Sequence, residues 1–304
     1  MKKIIMYHYI RDYSKELPFF NFLKKDNFLK QINYFQKKNI LNLNQSFNDF
    51  LNSKNKILLS FDDGIKDHYF VFKKLLRFNL KGIFFVSSYP LIKKDFLGTH
   101  KIHLILGKFQ LNQIMKAFEK FKIEINFEKI KTKDKNYQLK KTKNINERKK
   151  ILIKIFLNFY LQKNDKIINK LFNYFFSKKE QKKIFDKFYL NQTQIKEMHK
   201  AGMIIGGHTY SHKLLTNLNY KDQKYEIEKN INHLSKLLSK KLDSFAYPYG
   251  GVLSFNKKTI KILKDKKIQF SFTSEDKYIA NLKVNHDIPR FNCNKFKFGQ
   301  ISKY

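Results

Sequence analysis

Ile57-Leu-Leu-Ser-Phe-Asp-Asp-Gly64 is a short, almost wholly apolar run that ends abruptly on two carboxylates and a glycine. A run of that length, bounded by turn residues, reads as a buried strand. On its N-terminal side, Ile4 to Ile10 is a second apolar run, and Phe28, Leu29, Ile32 and Phe35 recur at helical spacing between the two. On its C-terminal side, Phe72, Leu75 and Leu76 continue a helical pattern into the strand-like Gly82-Ile-Phe-Phe-Val86. Strand, helix and strand in alternation predict βαβ units and a parallel sheet or barrel.

The alternation breaks off at about Gly98 and resumes near Tyr189. Between them lysine is abundant, and Ile151, Leu152, Ile155, Phe156 and Phe159, then Ile167, Ile168, Leu171, Phe172 and Phe175, fall at amphipathic helical spacing. After it come a helix following Asn191, a strand over 203–207, and a long helix carrying Ile227, Ile231, Leu234 and Leu238. A strand over 244–247, a helix over 256–263 and a strand over 269–273 complete the count. About seven strands result, so the expected fold is α/β, a distorted (β/α) barrel over residues 1–97 and 190–304. Residues 98–189 form a helical insertion. Because that insertion follows the strand Gly82–Val86, it is expected to serve as a subdomain or lid beside the site.

Composition limits the partners. The net charge is +38, but only Arg11, Arg77, Arg148 and Arg290 among the 63 basic residues are arginines. Recognition of nucleic acid leans on the planar guanidinium, so this lysine bias argues against a nucleic-acid partner. It still favours anionic substrates and peripheral contact with an anionic membrane surface. Cys293 is the only cysteine, which rules out an intrachain disulfide, and it is read as inert. The N-terminal apolar run is too short for a signal-peptide core and no stretch suits a spanning helix, so a cytoplasmic location is expected.

Catalytic groups in barrels of this kind sit at the C-terminal ends of strands. That rule selects His8, Asp62, Asp63, His208 and the Tyr247-Pro-Tyr-Gly250 turn. Adjacent buried carboxylates repel unless a cation lies beside them, so one of the pair is expected to bind a metal and the other to act as a base. Asp-Asp-Gly alone is equally ordinary turn chemistry. His208 and His212 shift the balance, because two imidazoles four residues apart converge on one ion if the intervening residues form a single turn. Two histidines and a carboxylate leave an open position, as in a hydrolytic zinc site.

Ser60-Phe-Asp-Asp-Gly64, His208-Thr-Tyr-Ser-His212 and Ala246-Tyr-Pro-Tyr-Gly250 together resemble, in order, motifs of the polysaccharide deacetylase (NodB homology) family. Met6-Tyr-His-Tyr9 looks most like the poly-β-1,6-N-acetylglucosamine deacetylase branch, in which a late-motif histidine lies near the N-terminus. The resemblance implies one divalent ion, Zn2+ by preference, held by Asp63, His208 and His212. It makes Asp62 the base, the Tyr249 N–H an oxyanion donor and His8 the acid, with His286 a competitor. Many relatives carry an arginine where this chain has Ala246. Arg290, with Asp287 as its partner, is the expected substitute, and a surface salt bridge is the alternative.

The implied activity is removal of an N-acetyl group from an amino sugar in a glycan or glycan precursor. Other amide hydrolysis on the same fold, and non-catalytic binding of a polyanion or sugar, are the alternatives. His100 and His103 are expected to line a substrate cleft or to lie on the surface. His68, His199 and His233 are read as structural or solvated.

Overall fold

The apolar runs become strands, β1 (Lys3–Tyr7), β2 (Ile10–Arg11), β3 (Leu23–Lys24), β4 (Ile57–Phe61), β5 (Gly82–Val86), β6 (Ile204–Gly207), β7 (Ser244–Ala246), β8 (Phe270–Phe272) and β9 (Phe291–Asn292). This computed structural model describes residues 2–130, 144–279 and 286–301. Seven of the strands form one sheet in the order β8-β7-β6-β5-β4-β1-β9, with every pairing parallel, while β2 and β3 pair separately.

The edges of this sheet meet through the segment leading into β9. Ile288 bridges Phe272 of β8 in parallel, with Ile288 N donating to Ser271 O at 2.9 Å and Thr273 N to Ile288 O at 2.8 Å. Phe291 then pairs with Ile5 of β1. Residues 288–292 therefore serve as the closing stave of the expected distorted barrel, and Arg290 lies on that stave.

Strand periodicity separates two apolar layers. Ile5, Tyr7, Leu59, Phe61, Phe84, Ile205 and Phe245 pack with helical residues such as Phe28, Phe72, Ile195 and Ile231. Ile4, Leu58, Ile83, Phe85, Ala246, Phe272 and Ile288 form a second cluster, against which Phe47 and Phe50 also pack. The second set shares its alternation with Ser60 and Asp62 on one stave and with Met6 and His8 on another. The polar residues that follow these strands thus continue the same alternation.

The chain divides into two units. The first comprises Met1–Asp12, Phe22–Asp95 and Phe185–Ser302, and the second comprises Tyr13–Asn21 and Phe96–Ile184. The barrel unit carries helices α1 (Lys25–Tyr34), α2 (Phe47–Asn52), α3 (Asp67–Arg77) and α4 (Tyr89–Lys93). The second unit is helical, with α5 (Gly98–Lys108), α6 (Leu111–Lys120), α7 (Ile145–Lys163), α8 (Lys166–Phe175) and α9 (Lys178–Phe188), whose last residues belong to the barrel unit. Its interior holds Ile102, Ile105, Ile114, Phe118, Ile153, Leu157, Ile168 and Phe172, all buried. The barrel unit resumes with α10 (Gln192–Lys200), α11 (Tyr220–Leu238) and α12 (Lys257–Asp265). Asn191, Asn219 and Asn256 cap these three helices through their side chains, which explains why each starts where it does. Among the described residues, no helix is long and apolar enough to cross a membrane.

Candidate active site

Asp62 and Asp63 leave the end of β4 in different directions, and that divergence organises the site. Arg290 Nη1 donates to Asp62 Oδ1 at 2.6 Å and Nη2 to Oδ2 at 2.8 Å, a bidentate pair in which both partners are buried. The same guanidinium donates through Nε to Thr273 O at 2.9 Å and through Nη1 to Ser60 Oγ at 3.3 Å, and it lies over the Phe85 ring. Burial would raise the Asp62 carboxyl, but Arg290, His208 and His8 outweigh it and hold the group below its ordinary value. Arg290 is fully buried, so the surface-salt-bridge reading fails. The expected partnership with Asp287 fails too: Asp287 is exposed, and the contacts of Arg290 are with Asp62, Thr273 and Ser60.

Asp63 turns toward the histidines. Its backbone has φ +82°, and Gly64 follows at φ +69°. A Cβ on Gly64 would come within 2.8 Å of Val86 Cγ1, so a glycine is needed there both for its φ and for close approach to β5. Asp63 Oδ1 lies 3.3 Å from His208 Nε2 and 3.3 Å from His212 Nε2. Charge-assisted hydrogen bonds are shorter, about 2.7–2.9 Å. Donors about 2.0–2.1 Å from a common tetrahedral centre, however, stand roughly 3.3–3.4 Å apart, so the spacing fits three ligands of one ion. Asp63, His208 and His212 are also the described cluster of buried groups able to hold a metal. His208 Nδ1 pairs with Ala246 O at 2.7 Å, which leaves Nε2 as the ring atom that could reach an ion. Burial lowers the His208 pKa, yet the Asp63 and Asp62 carboxylates more than offset it and the net shift is upward.

The loop that joins the two histidines has left-handed backbone at Thr209 (φ +57°) and at His212 (φ +61°). Left-handed residues with side chains cost about 1–2 kcal/mol each, so the surroundings must hold them. Four of the loop's amides are accounted for. His208 N donates to Asn230 Oδ1 at 3.0 Å, Tyr210 N to Glu226 O at 2.8 Å, Ser211 N to Glu226 Oε2 at 2.7 Å and His212 N to Thr209 Oγ1 at 3.0 Å. Asn230 and Glu226 were not singled out from the sequence. The available signal was their position among the buried residues of α11, beside Ile227 and Ile231.

Tyr249 takes φ +66°, is 37% exposed, and sets its ring 5.2 Å from that of His212. His8 is half-buried one residue beyond β1, and its backbone carbonyl meets His68 Nε2 at 3.1 Å. Burial lowers its pKa first, and the charges that act on it next are Asp63, Asp62, Arg290 and His208, all site groups. His286 has a different environment: Nδ1 meets Ser271 Oγ at 3.1 Å, its carbonyl accepts from Tyr247 OH, and no site group contributes to its lowered pKa. His68 is fully buried, with its ring 5.6 Å from that of Phe61. His100 and His103 lie on α5 in the second unit; His100 is fully buried, which corrects the surface reading for that residue. Cys293 is buried and burial pushes its thiol up to about 12, in keeping with an inert thiol.

Comparison with known proteins shows what part of the chain is similar to. The family model described as polysaccharide deacetylase matches residues 158–271, a span that includes His208, His212 and the 246–250 turn. No curated protein matches the chain by sequence. Among solved structures, the Streptococcus pyogenes deacetylase PplD in complex with acetate is 16% identical, with a TM-score of 0.56 over 95% of this chain and 91% of that one. IcaB from Ammonifex degensii is 15% identical, with a TM-score of 0.55 over 96% of this chain and 91% of that one. A polysaccharide deacetylase from Bacillus cereus is 15% identical, with a TM-score of 0.55 over 96% of this chain and 64% of that one. At such identities these structures speak for the fold. The family model covers residues 158–271 of the 304, and over that span the chain is similar to polysaccharide deacetylases, with a fold that agrees.

Proposed function

We propose that the chain is a metal-dependent carbohydrate N-deacetylase that hydrolyses the N-acetyl group of an amino sugar in a glycan or glycan precursor. One observation carries the reading: two adjacent carboxylates are given different partners, Asp62 the guanidinium of Arg290 and Asp63 the two imidazoles. Asp63, His208 and His212 would hold the ion, with Zn2+ favoured by two nitrogens and one carboxylate oxygen. When bound, such an ion acidifies water and polarises the acyl oxygen.

The residues of the chain supply the rest. Each Asp62 oxygen keeps a lone pair beyond its bond to Arg290, so the carboxylate accepts a proton from the attacking water while the guanidinium fixes its orientation. The water oxygen bonds to the acetyl carbon, and negative charge passes to the carbonyl oxygen, toward which the Tyr249 N–H donates. Cleavage of the C–N bond then needs a proton on the amine nitrogen, and His8 delivers it. Acetate and a free amino sugar leave. A deacetylase of this fold has acetate bound, and acetate is the product expected here.

The test is acetate release from a panel of N-acetylated sugars, nucleotide sugars and oligosaccharides, with bound metal measured in parallel. Release that requires the metal supports the reading. A fully metal-loaded chain that releases acetate from none of them, yet hydrolyses another class of amide, overturns it.

A further inference from the structure

The arrangement around α11 goes one step beyond the ligands themselves. Glu226 and Asn230 are spaced by four residues, so they stand one above the other on a single helix face. Both are buried, at 4% and 0% exposure, and both face the His208–His212 loop. Asn230 acts like an extra peptide group between two staves. Pairing of β5 with β6 ends at Val86 and Gly207, and just beyond it the Asn230 amide takes a bond from His208 N at 3.0 Å and gives one to Val86 O at 2.9 Å. Gly207 makes room for this, since a Cβ there would come within 2.7 Å of Asn230 Oδ1. Glu226 grips the far end of the loop, accepting from Ser211 N at 2.7 Å and from Ser211 Oγ, while its own carbonyl accepts from Tyr210 N.

We propose that Asn230 and Glu226 are positioning residues that set the separation and aim of His208 and His212. The proposal rests on the metal-site reading given above. The loop has two left-handed residues, Thr209 and His212, and without its anchors the backbone can relieve that strain only by moving a ligand. Asn230 fixes the His208 end to the barrel, and Glu226 fixes the residue immediately before His212. The two ligands are thereby tied to one rigid helix.

The full-length chain is used for the test, with Zn2+ affinity read by competition against a chromophoric chelator and ligand geometry read from the visible spectrum of the Co2+-loaded protein. Glu226→Ala and Asn230→Ala should each weaken Zn2+ binding roughly 10–100-fold, the usual cost of losing an outer-shell partner, and should shift the Co2+ bands. Glu226→Gln should stay close to wild type, because its carbonyl still accepts from Ser211 N and its amide turns to Ser211 Oγ. Ser211→Ala, a milder change at a half-buried residue, should fall between them and serves if the alanine variants do not fold. Wild-type affinity and spectrum in Glu226→Ala or Ser211→Ala would overturn the proposal. So would a lower Tm of the metal-free variants with unchanged affinity, since that is the mark of a scaffold residue. A wild-type chain that takes up no Zn2+ overturns the reading of the site itself, a failure the wild-type control separates from the others.

Discussion

The guanidinium of Arg290 holds both carboxylate oxygens of Asp62 at 2.6 and 2.8 Å, across 228 positions of sequence and in full burial. A buried carboxylate is costly to keep charged, and here the closing stave of the barrel provides the counter-charge. Arg290→Ala leaves Asp62 buried without its partner, for which about 3–5 kcal/mol of destabilisation is expected. Arg290→Lys restores the charge but not the planar fork, so stability should partly recover while activity stays low. Urea denaturation and acetate release on the two variants check this. Full activity in Arg290→Lys would show that charge alone, rather than bidentate orientation, is what Asp62 needs.

The two aspartates should separate cleanly under mutation. Asp62→Asn keeps the Asp63–His208–His212 cluster, so metal content should be retained while turnover is lost, because an amide cannot take the proton of the water. Asp63→Asn removes the charge of a proposed ligand and should lower metal affinity itself, as should His208→Ala and His212→Ala. Metal analysis after dialysis, alongside activity, distinguishes the two. The reverse pattern, with metal lost in Asp62→Asn and kept in Asp63→Asn, would exchange their roles.

Much of this was legible in the sequence because the fold announces itself where apolar runs stop. Asp62 and His208 are the first residues after strands β4 and β6, and barrel topology gathers such ends whatever their distance in sequence. Arg290 shows where that reasoning gave way. The nearest carboxylate in sequence is Asp287, but a neighbour along a stave is not a neighbour across the barrel. Asn230 and Glu226 stayed hidden for another reason: polar residues on a long helix are usually solvated. Their alignment with Ile227, Ile231 and Leu234 on the buried side of α11 was the available clue. The left-handed backbone at Asp63, Thr209, His212 and Tyr249 had no sequence signal, since none of the four is glycine.

Gly207→Ala tests the closeness of α11 to the strand end. The new Cβ would meet Asn230 Oδ1 at 2.7 Å and Phe245 Cδ2 at 2.9 Å, both in buried, well-packed surroundings. Overpacking of that kind typically costs about 1–3 kcal/mol. Because one of the displaced groups is the acceptor for His208 N, metal affinity should fall together with Tm. A variant with wild-type Tm would mean that Asn230 yields freely, which its two bonds to fixed backbone oppose.

His68 gives the chain a pH dependence of known sign. Its ring is fully buried against Phe61, Nε2 meets the His8 carbonyl at 3.1 Å, and Nδ1 has no hydrogen-bond partner among the described residues. Burial lowers its pKa from 6.5 to about 4, against the opposing pull of Asp67 and the bond to His8. Between those two values the unfolded chain takes up a proton that the folded chain refuses. Stability is therefore complete above about pH 6.5 and is lost as pH falls toward 4, on the order of 2 kcal/mol by pH 5. His68→Gln removes the titration while retaining a side chain that can donate to the carbonyl. Urea denaturation of both proteins at pH 7 and pH 5, with metal chelated throughout, isolates this group from the other histidines. Wild type should lose about 2 kcal/mol more than the variant over that interval. Equal losses in the two proteins would mean that His68 takes up its proton in the folded state, and that its pocket admits water or a counter-charge at low pH.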